Sequence, residues 1–194
     1  MQKLFAPLAL VLLLISACTT VPGPDDGPEK KDVDRAEGLF EQRQYLEAAQ
    51  AFNDIARSLD VSQRRDVLLR EAAALARAEK ITQARQILRS VETEPAPADD
   101  FMLRLTRAYI ALAERNADAA LTLLDEPPSQ NIAPRYIGEY HLLRADAFTL
   151  QDHRLETARE LVARETYIAA PAVQQENQTA IWTALASMTE RALR

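Results

Sequence analysis

Four short segments of this 194-residue chain share one spacing. Tyr45-x2-Ala48-x3-Phe52, Ile81-x2-Ala84-x3-Leu88, Ala117-x2-Ala120-x3-Leu124 and Leu155-x2-Ala158-x3-Val162 each set a small residue one helical turn ahead of a bulky one. The central alanines stand 36, 36 and 38 residues apart. Residues four apart share a helix face, so the small side chain lets a neighbouring helix approach and the bulky one fills the gap beside it. Upstream, a second small residue precedes the key alanine by twelve positions at Ala36, Ala72 and Ala108, and by thirteen at Ala145. That extra residue predicts a longer turn through Gln151-Asp152-His153-Arg154. Between residues 32 and 194 only Gly38 and Gly138 occur, too few for a set of β-hairpins or a glycine-rich phosphate loop. Prolines fall at unit ends instead: 95 and 97, then 127, 128 and 134, then 171.

These signals predict helices over 32–43, 45–59, 63–79, 81–92, 99–115, 117–126, 135–151 and 154–169, with Ser62 as an N-cap and a ninth helix over 172–192. The A-x3-F element around Ala48 and Phe52 resembles the second helix of a tetratricopeptide repeat. The fold class expected is therefore all-α: a tetratricopeptide-like solenoid of about four helical hairpins plus a C-terminal helix. Two departures are plain, a period longer than 34 and no aromatic residue early in the first helix of each pair. The inner face of such a solenoid is lined by the first helices. By register with Ala36, Ala72 and Ala108, that face includes Glu37, Glu41, Arg77 and Tyr109, the candidate partner groove.

The first 17 residues read differently. A cationic start, Met1 to Lys3, leads into twelve mostly apolar residues, Leu4 to Ile15, too few to span a bilayer. Ile15-Ser16-Ala17-Cys18 looks like a bacterial lipobox, which implies cleavage before Cys18 and acylation of its sulfur and new amine. Several acyl chains at about 0.8 kcal/mol per buried methylene hold a protein to a membrane. Cys18 is the sole cysteine of the chain, so it cannot form an internal disulfide. Thr19 in place of Asp resembles lipoproteins sent to the outer membrane, with the folded part on its periplasmic side. Residues 18–31, rich in proline and charge, read as the lipidated cysteine and a flexible tether.

Formal charge is −6, and no basic cluster offers a nucleic-acid surface. Two histidines, His141 and His153, and one thiol within the lipobox cannot assemble a transition-metal site or a Cys-His nucleophile. No serine lies in a hydrolase context. The residues point to no enzyme, no cofactor or metal and no small-molecule substrate.

Near the end, Asn177 is followed by Ile181-Trp182-Thr183-Ala184-Leu185-Ala186-Ser187-Met188-Thr189. Placed after tetratricopeptide-like pairs in a lipoprotein, this stretch resembles the LpoA/LppC family of outer-membrane activators of penicillin-binding proteins. The resemblance covers that family's N-terminal half. It implies a non-enzymatic periplasmic scaffold in peptidoglycan synthesis, with a penicillin-binding protein as partner. It also implies that a second domain, similar to periplasmic binding proteins and not found in these residues, carries most of the activation. Residues 19–194 are then expected to fold alone and to stimulate a synthase little. Other readings of the same repeats are a lipoprotein adaptor for outer-membrane or pilus assembly, and the helical scaffold of a lytic transglycosylase. Read from spacing, Trp182 joins Ile181, Leu185 and Met188 in an apolar stripe that closes the last repeat.

Metabolic labelling with a fatty-acid analogue is expected to mark the protein and to be abolished by Cys18→Ala. Label that persists in the variant overturns the lipid assignment.

Overall fold

The computed structural model describes residues 28–61, 63–93, 100–129 and 131–192. The leader, Cys18, most of the expected tether and Ser62 lie outside these. Nine α-helices are present among the described residues: α1 (Pro28–Glu41), α2 (Tyr45–Ser58), α3 (Arg65–Arg77), α4 (Ile81–Glu92), α5 (Phe101–Ala113), α6 (Ala117–Leu123), α7 (Pro134–Leu150), α8 (Arg154–Arg164) and α9 (Pro171–Ala192). A single 3₁₀ turn, Glu165–Tyr167, follows α8. No strand occurs among the described residues, and the all-α class read from the spacing is the one observed. The first helix starts at Pro28, four residues before its expected start at 32 and so within the expected tether. Proline suits a first helical position, where its missing N–H has no intrahelical partner to lose.

One turn builds every pair. Arg43, Glu79, Arg115 and Asp152 each adopt a left-handed φ of 59–62° directly after the first helix of a pair. The next amide then closes back five residues: Gln44 to Leu39 O, Lys80 to Leu75 O, Asn116 to Ala111 O and His153 to Phe148 O, at 2.8–2.9 Å. This is the Schellman ending, normally made with glycine because a Cβ in that conformation costs about 1–2 kcal/mol. Here four charged residues take the position, so glycine scarcity conceals the turns.

The turns fix the register. Five residues after each left-handed residue come Ala48, Ala84, Ala120 and Thr157, all buried, and seven residues before it come Ala36, Ala72, Ala108 and Ala145, all at 2 % exposure or less. The fourth turn is therefore no longer than the others. Its equivalent pair is Thr157 and Leu161, 5 % exposed each, and not Ala158 and Val162; Val162 is 53 % exposed. Thr157 donates its hydroxyl to His153 O at 3.0 Å, which lets a polar side chain occupy an alanine site.

Burial is deepest in α3, where Ala72 to Ala76 are all inside and α2, α4 and α5 surround the helix. Phe52, Leu69, Leu105, Tyr109, Leu124 and Leu143 are the large side chains of the main core. A smaller cluster of Ala145, Leu161 and Ile181 joins α7, α8 and α9. Trp182 takes no part in it. At 71 % exposure it points away, while Ile181, Ala184 and Leu185 make the contact. The expected closure by Trp182 is thus corrected: α9 packs through one face, against α8, and at 100° per residue the side chain after Ile181 turns away from that face.

Arg70, 3 % exposed on α3, holds the inner helices together. Its Nε donates to Glu37 Oε1 of α1 at 2.8 Å, and its Nη1 donates to Glu139 Oε2 of α7 at 2.8 Å. Nη2 bonds the second oxygen of both carboxylates. Tyr136 donates to Glu37 at 3.0 Å and Tyr109 of α5 donates to Glu139. The guanidinium lies over the Phe40 ring, 4.4 Å from its centre. Burial alone would lower its pKa, but Glu139 and Glu37 override this and hold it well above the ordinary arginine value. Arg70 thus joins α1, α3 and α7 directly and α5 through the Tyr109–Glu139 bond.

Two stability outcomes follow. Arg70→Met leaves two buried carboxylates without their cation and is expected to lower unfolding free energy by about 3–5 kcal/mol in urea titrations. Adding Glu37→Leu and Glu139→Leu to it should restore most of that loss; a single variant that unfolds like the parent would remove the hub's role. At the turns, Arg115→Gly is expected to raise stability by up to about 1 kcal/mol, and Arg115→Val to lower it by a similar amount.

Candidate functional site

A concavity of about 1840 Å³ opens between the turn ends of α1, α3 and α5 on one side and α7, α8 and α9 on the other. Its floor is Tyr109, whose ring sits 5.7 Å from that of Phe40 and whose hydroxyl is committed to Glu139. Arg77 forms one wall. Its Nη1 donates to Asp146 Oδ2 at 2.9 Å, and its guanidinium lies 5.6 and 5.8 Å from the centres of the Tyr45 and Tyr109 rings. On the opposite wall, Arg164 Nη1 donates to the Oδ1 of Asn177 at 3.2 Å. Asn177 is 2 % exposed, and its Nδ2 donates to Leu161 O at 2.8 Å, tying α9 to α8. Across the rim, Arg43 pairs with Glu176, so the first turn of the chain touches its last helix.

Gly138 sets the spacing of the far wall. A Cβ there would meet the Tyr167 Cβ at 3.1 Å, so the absence of a side chain lets the 3₁₀ turn lie against α7. His141 beside it donates from Nδ1 to Glu160 Oε2 at 2.8 Å and stacks on Tyr167 at 5.9 Å. Arg144 donates to the other oxygen of Glu160 at 2.7 Å. Burial would raise the Glu160 pKa, but the bonds from His141 and Arg144 hold it below the usual carboxylate value. His153 occupies the residue before α8 and bonds through its backbone. No group of three or more histidine, cysteine or acidic side chains suited to a metal occurs among the described residues.

Of the four groove residues predicted from register, three line this concavity: Glu41, Arg77 and Tyr109. Glu37 does not. It is 2 % exposed and enclosed by Arg70 and Tyr136, because α7 folds across the inner face that an open solenoid would leave bare. Sequence reasoning missed Arg164, Glu139 and Asp146 altogether. Asn177 had a signal, a polar residue on the face of α9 that also carries Ile181, Ala184 and Leu185.

Comparison with known proteins places this architecture. The sequence model of the family described as "LppC putative lipoprotein" matches residues 42–194. The chain belongs to the LppC lipoprotein family. Among curated LppC relatives, the penicillin-binding protein activator LpoA of Vibrio cholerae is 28% identical over 162 residues, covering 83% of this chain and 25% of the relative. The protein of the same name from Vibrio antiquarius is 29% identical over 192 residues, covering 97% of this chain and 29% of the relative. In Aliivibrio fischeri the identity is 25% over 194 residues, covering 98% and 30%. This chain thus spans between a quarter and three tenths of the length of the LppC relatives it matches. The crystal structure of the E. coli LpoA amino-terminal domain superposes with a TM-score of 0.64 at 23% identity, covering 74% of this chain and 63% of that one. The fold described above is the fold of that domain.

The site has a pH signature. Burial, with Glu139 beside it, holds the Tyr109 hydroxyl well above its ordinary pKa, and burial with Glu37 does the same for Tyr136. A raised folded-state pKa gives stability that is full below the unfolded tyrosine value, about 10, and is lost as pH climbs past it. Urea midpoints are expected to be level from pH 7 to about 9 and to fall steeply from about 10. Tyr109→Phe should flatten that fall.

Proposed function

We propose that this chain is a non-enzymatic scaffold of peptidoglycan synthesis, of the penicillin-binding protein activator type, held at the periplasmic face of the outer membrane by a lipid on Cys18. The observation that carries this reading is the family match over residues 42–194, joined to relatives that are named penicillin-binding protein activators. The lipobox-like segment supports the anchor, and Thr19 supports the outer-membrane destination. The concavity supports action through protein contact: its lining mixes tyrosine, arginine and aliphatic side chains, the composition of adaptable protein interfaces. Glu41, Arg77 and Tyr109 belong to the proposed partner groove.

A purified class A penicillin-binding protein is expected to bind the immobilised chain in surface plasmon resonance. In a reconstituted glycan-polymerisation assay the same chain should stimulate little. Charge reversal at Glu41 together with Arg77 should weaken binding about tenfold; absence of binding by the parent overturns the reading.

A further inference from the structure

The concavity carries charges that its own architecture does not satisfy. Six arginines and five carboxylates line it, an excess of positive charge inside a chain of net charge −6. Four of those arginines are matched: Arg43 to Glu176, Arg77 to Asp146, Arg135 to Asp34 and Arg154 to Asp152. Arg115 is unmatched but exposed, and water solvates it. Arg164 differs from all of these. It is half-buried, its Nε is out of reach of water and bonds to nothing, and the one partner of its head group is the neutral amide of Asn177.

A half-buried guanidinium whose Nε is shut off from water and whose bonded partner is an amide is incompletely satisfied, and a bound carboxylate completes it. We infer that Arg164 is the anchor for a carboxylate of an extended peptide that binds in the concavity. Three observations point to that chemistry. Nη2 of Arg164 is unused, so an incoming carboxylate gains a charge-assisted bond without displacing the Asn177 contact. Asn177, buried and bonded to Leu161 O, fixes the guanidinium so that little side-chain freedom remains to be lost on binding. The volume, about 1840 Å³, exceeds the roughly 300–1,000 Å³ of pockets for drug-sized molecules. Leu142, Ile168 and Val173 and the rings of Tyr45 and Tyr109 line the remainder and suit peptide side chains. Burial pulls the Arg164 pKa below the ordinary arginine value, and the guanidinium of Arg43 acts in the same direction, whereas Asp146 and Glu139 act against it. An added carboxylate offsets burial and Arg43 alike by stabilising the cation.

This site rests on reading the concavity as a partner groove, but its test does not use a penicillin-binding protein. The probes are three equimolar pools of N-acetylated tetrapeptides: one with free carboxyl termini, one amidated, and one amidated with a single glutamate. Binding to the ¹⁵N-labelled chain is followed through the Arg164 Nε–H resonance. The expected result is a saturable shift with the free-acid pool, and about tenfold weaker or no binding by the amidated pool. Saturation by the glutamate pool as well identifies side-chain carboxylates as a second source of the same chemistry. Arg164→Gln should weaken binding about tenfold, Arg159→Gln, exposed on α8 outside the concavity, should leave it unchanged, and Ala180→Trp, on the exposed cavity side of α9, should block it with Arg164 intact. Equal binding by free and amidated pools, no saturable binding, or full binding to Arg164→Gln or to Ala180→Trp overturns the assignment. Because none of the probes is a penicillin-binding protein, each of these failures removes this site and leaves the scaffold reading in place.

Discussion

A single buried guanidinium decides the shape of this protein. In an open helical solenoid each hairpin touches its neighbours and the inner face stays free. Here Arg70 of α3 binds Glu37 of α1 and Glu139 of α7 at once, and α7 is drawn across the inner face to reach it. Burying three charges has a large desolvation penalty, so the arrangement contributes little stability over an apolar core of equal volume. What it contributes is uniqueness. Any other seating of α7 leaves the buried Arg70 and Glu37 short of Glu139 and Tyr136, and Tyr109 extends the same demand to α5.

That closure explains both what the alanine pattern revealed and what it hid. Helix pairing is a local matter of close approach, and Ala36, Ala48, Ala72, Ala84, Ala108 and Ala120 sit at full burial where the spacing placed them. The fourth unit was misphased because Thr157 and Ala158 are adjacent, both small and both buried. Only the backbone bonds of the turn at Asp152 select between them. No residue type announces that turn, since its left-handed position carries aspartate. The groove was harder to read. Register along a helix says which residues share a face; it does not say that a later helix covers part of that face, and so Glu37 was assigned to the groove while Glu139 and Arg164, from α7 and α8, were not. Trp182 misled for a related reason: hydrophobicity argues for burial in general, yet its neighbour Ile181 already occupies the inward angle.

The concavity that remains is a product of the same closure. It is bounded by the hub on its floor and by the Arg43–Glu176 contact at its rim, which makes it a pocket with walls on both sides in place of an open channel. Two families of charge meet there. Arg77 and Asp146 neutralise each other next to two tyrosine rings, whereas Arg164 is held by an amide alone.

The four Schellman turns carry a consequence for how a partner arrives. Glycine would relax every one of them, yet Arg43, Glu79 and Arg115 stand there instead, exposed at the mouth of the concavity. Charges in that position are the first that an approaching molecule meets. They act at a distance of one Debye length, about 8 Å at physiological salt, before any surface is buried. Local backbone strain is thereby exchanged for orientation during diffusion. For the partner proposed above, encounter rate, more than final affinity, is the quantity these turns would govern, and ionic strength is the variable that reveals it.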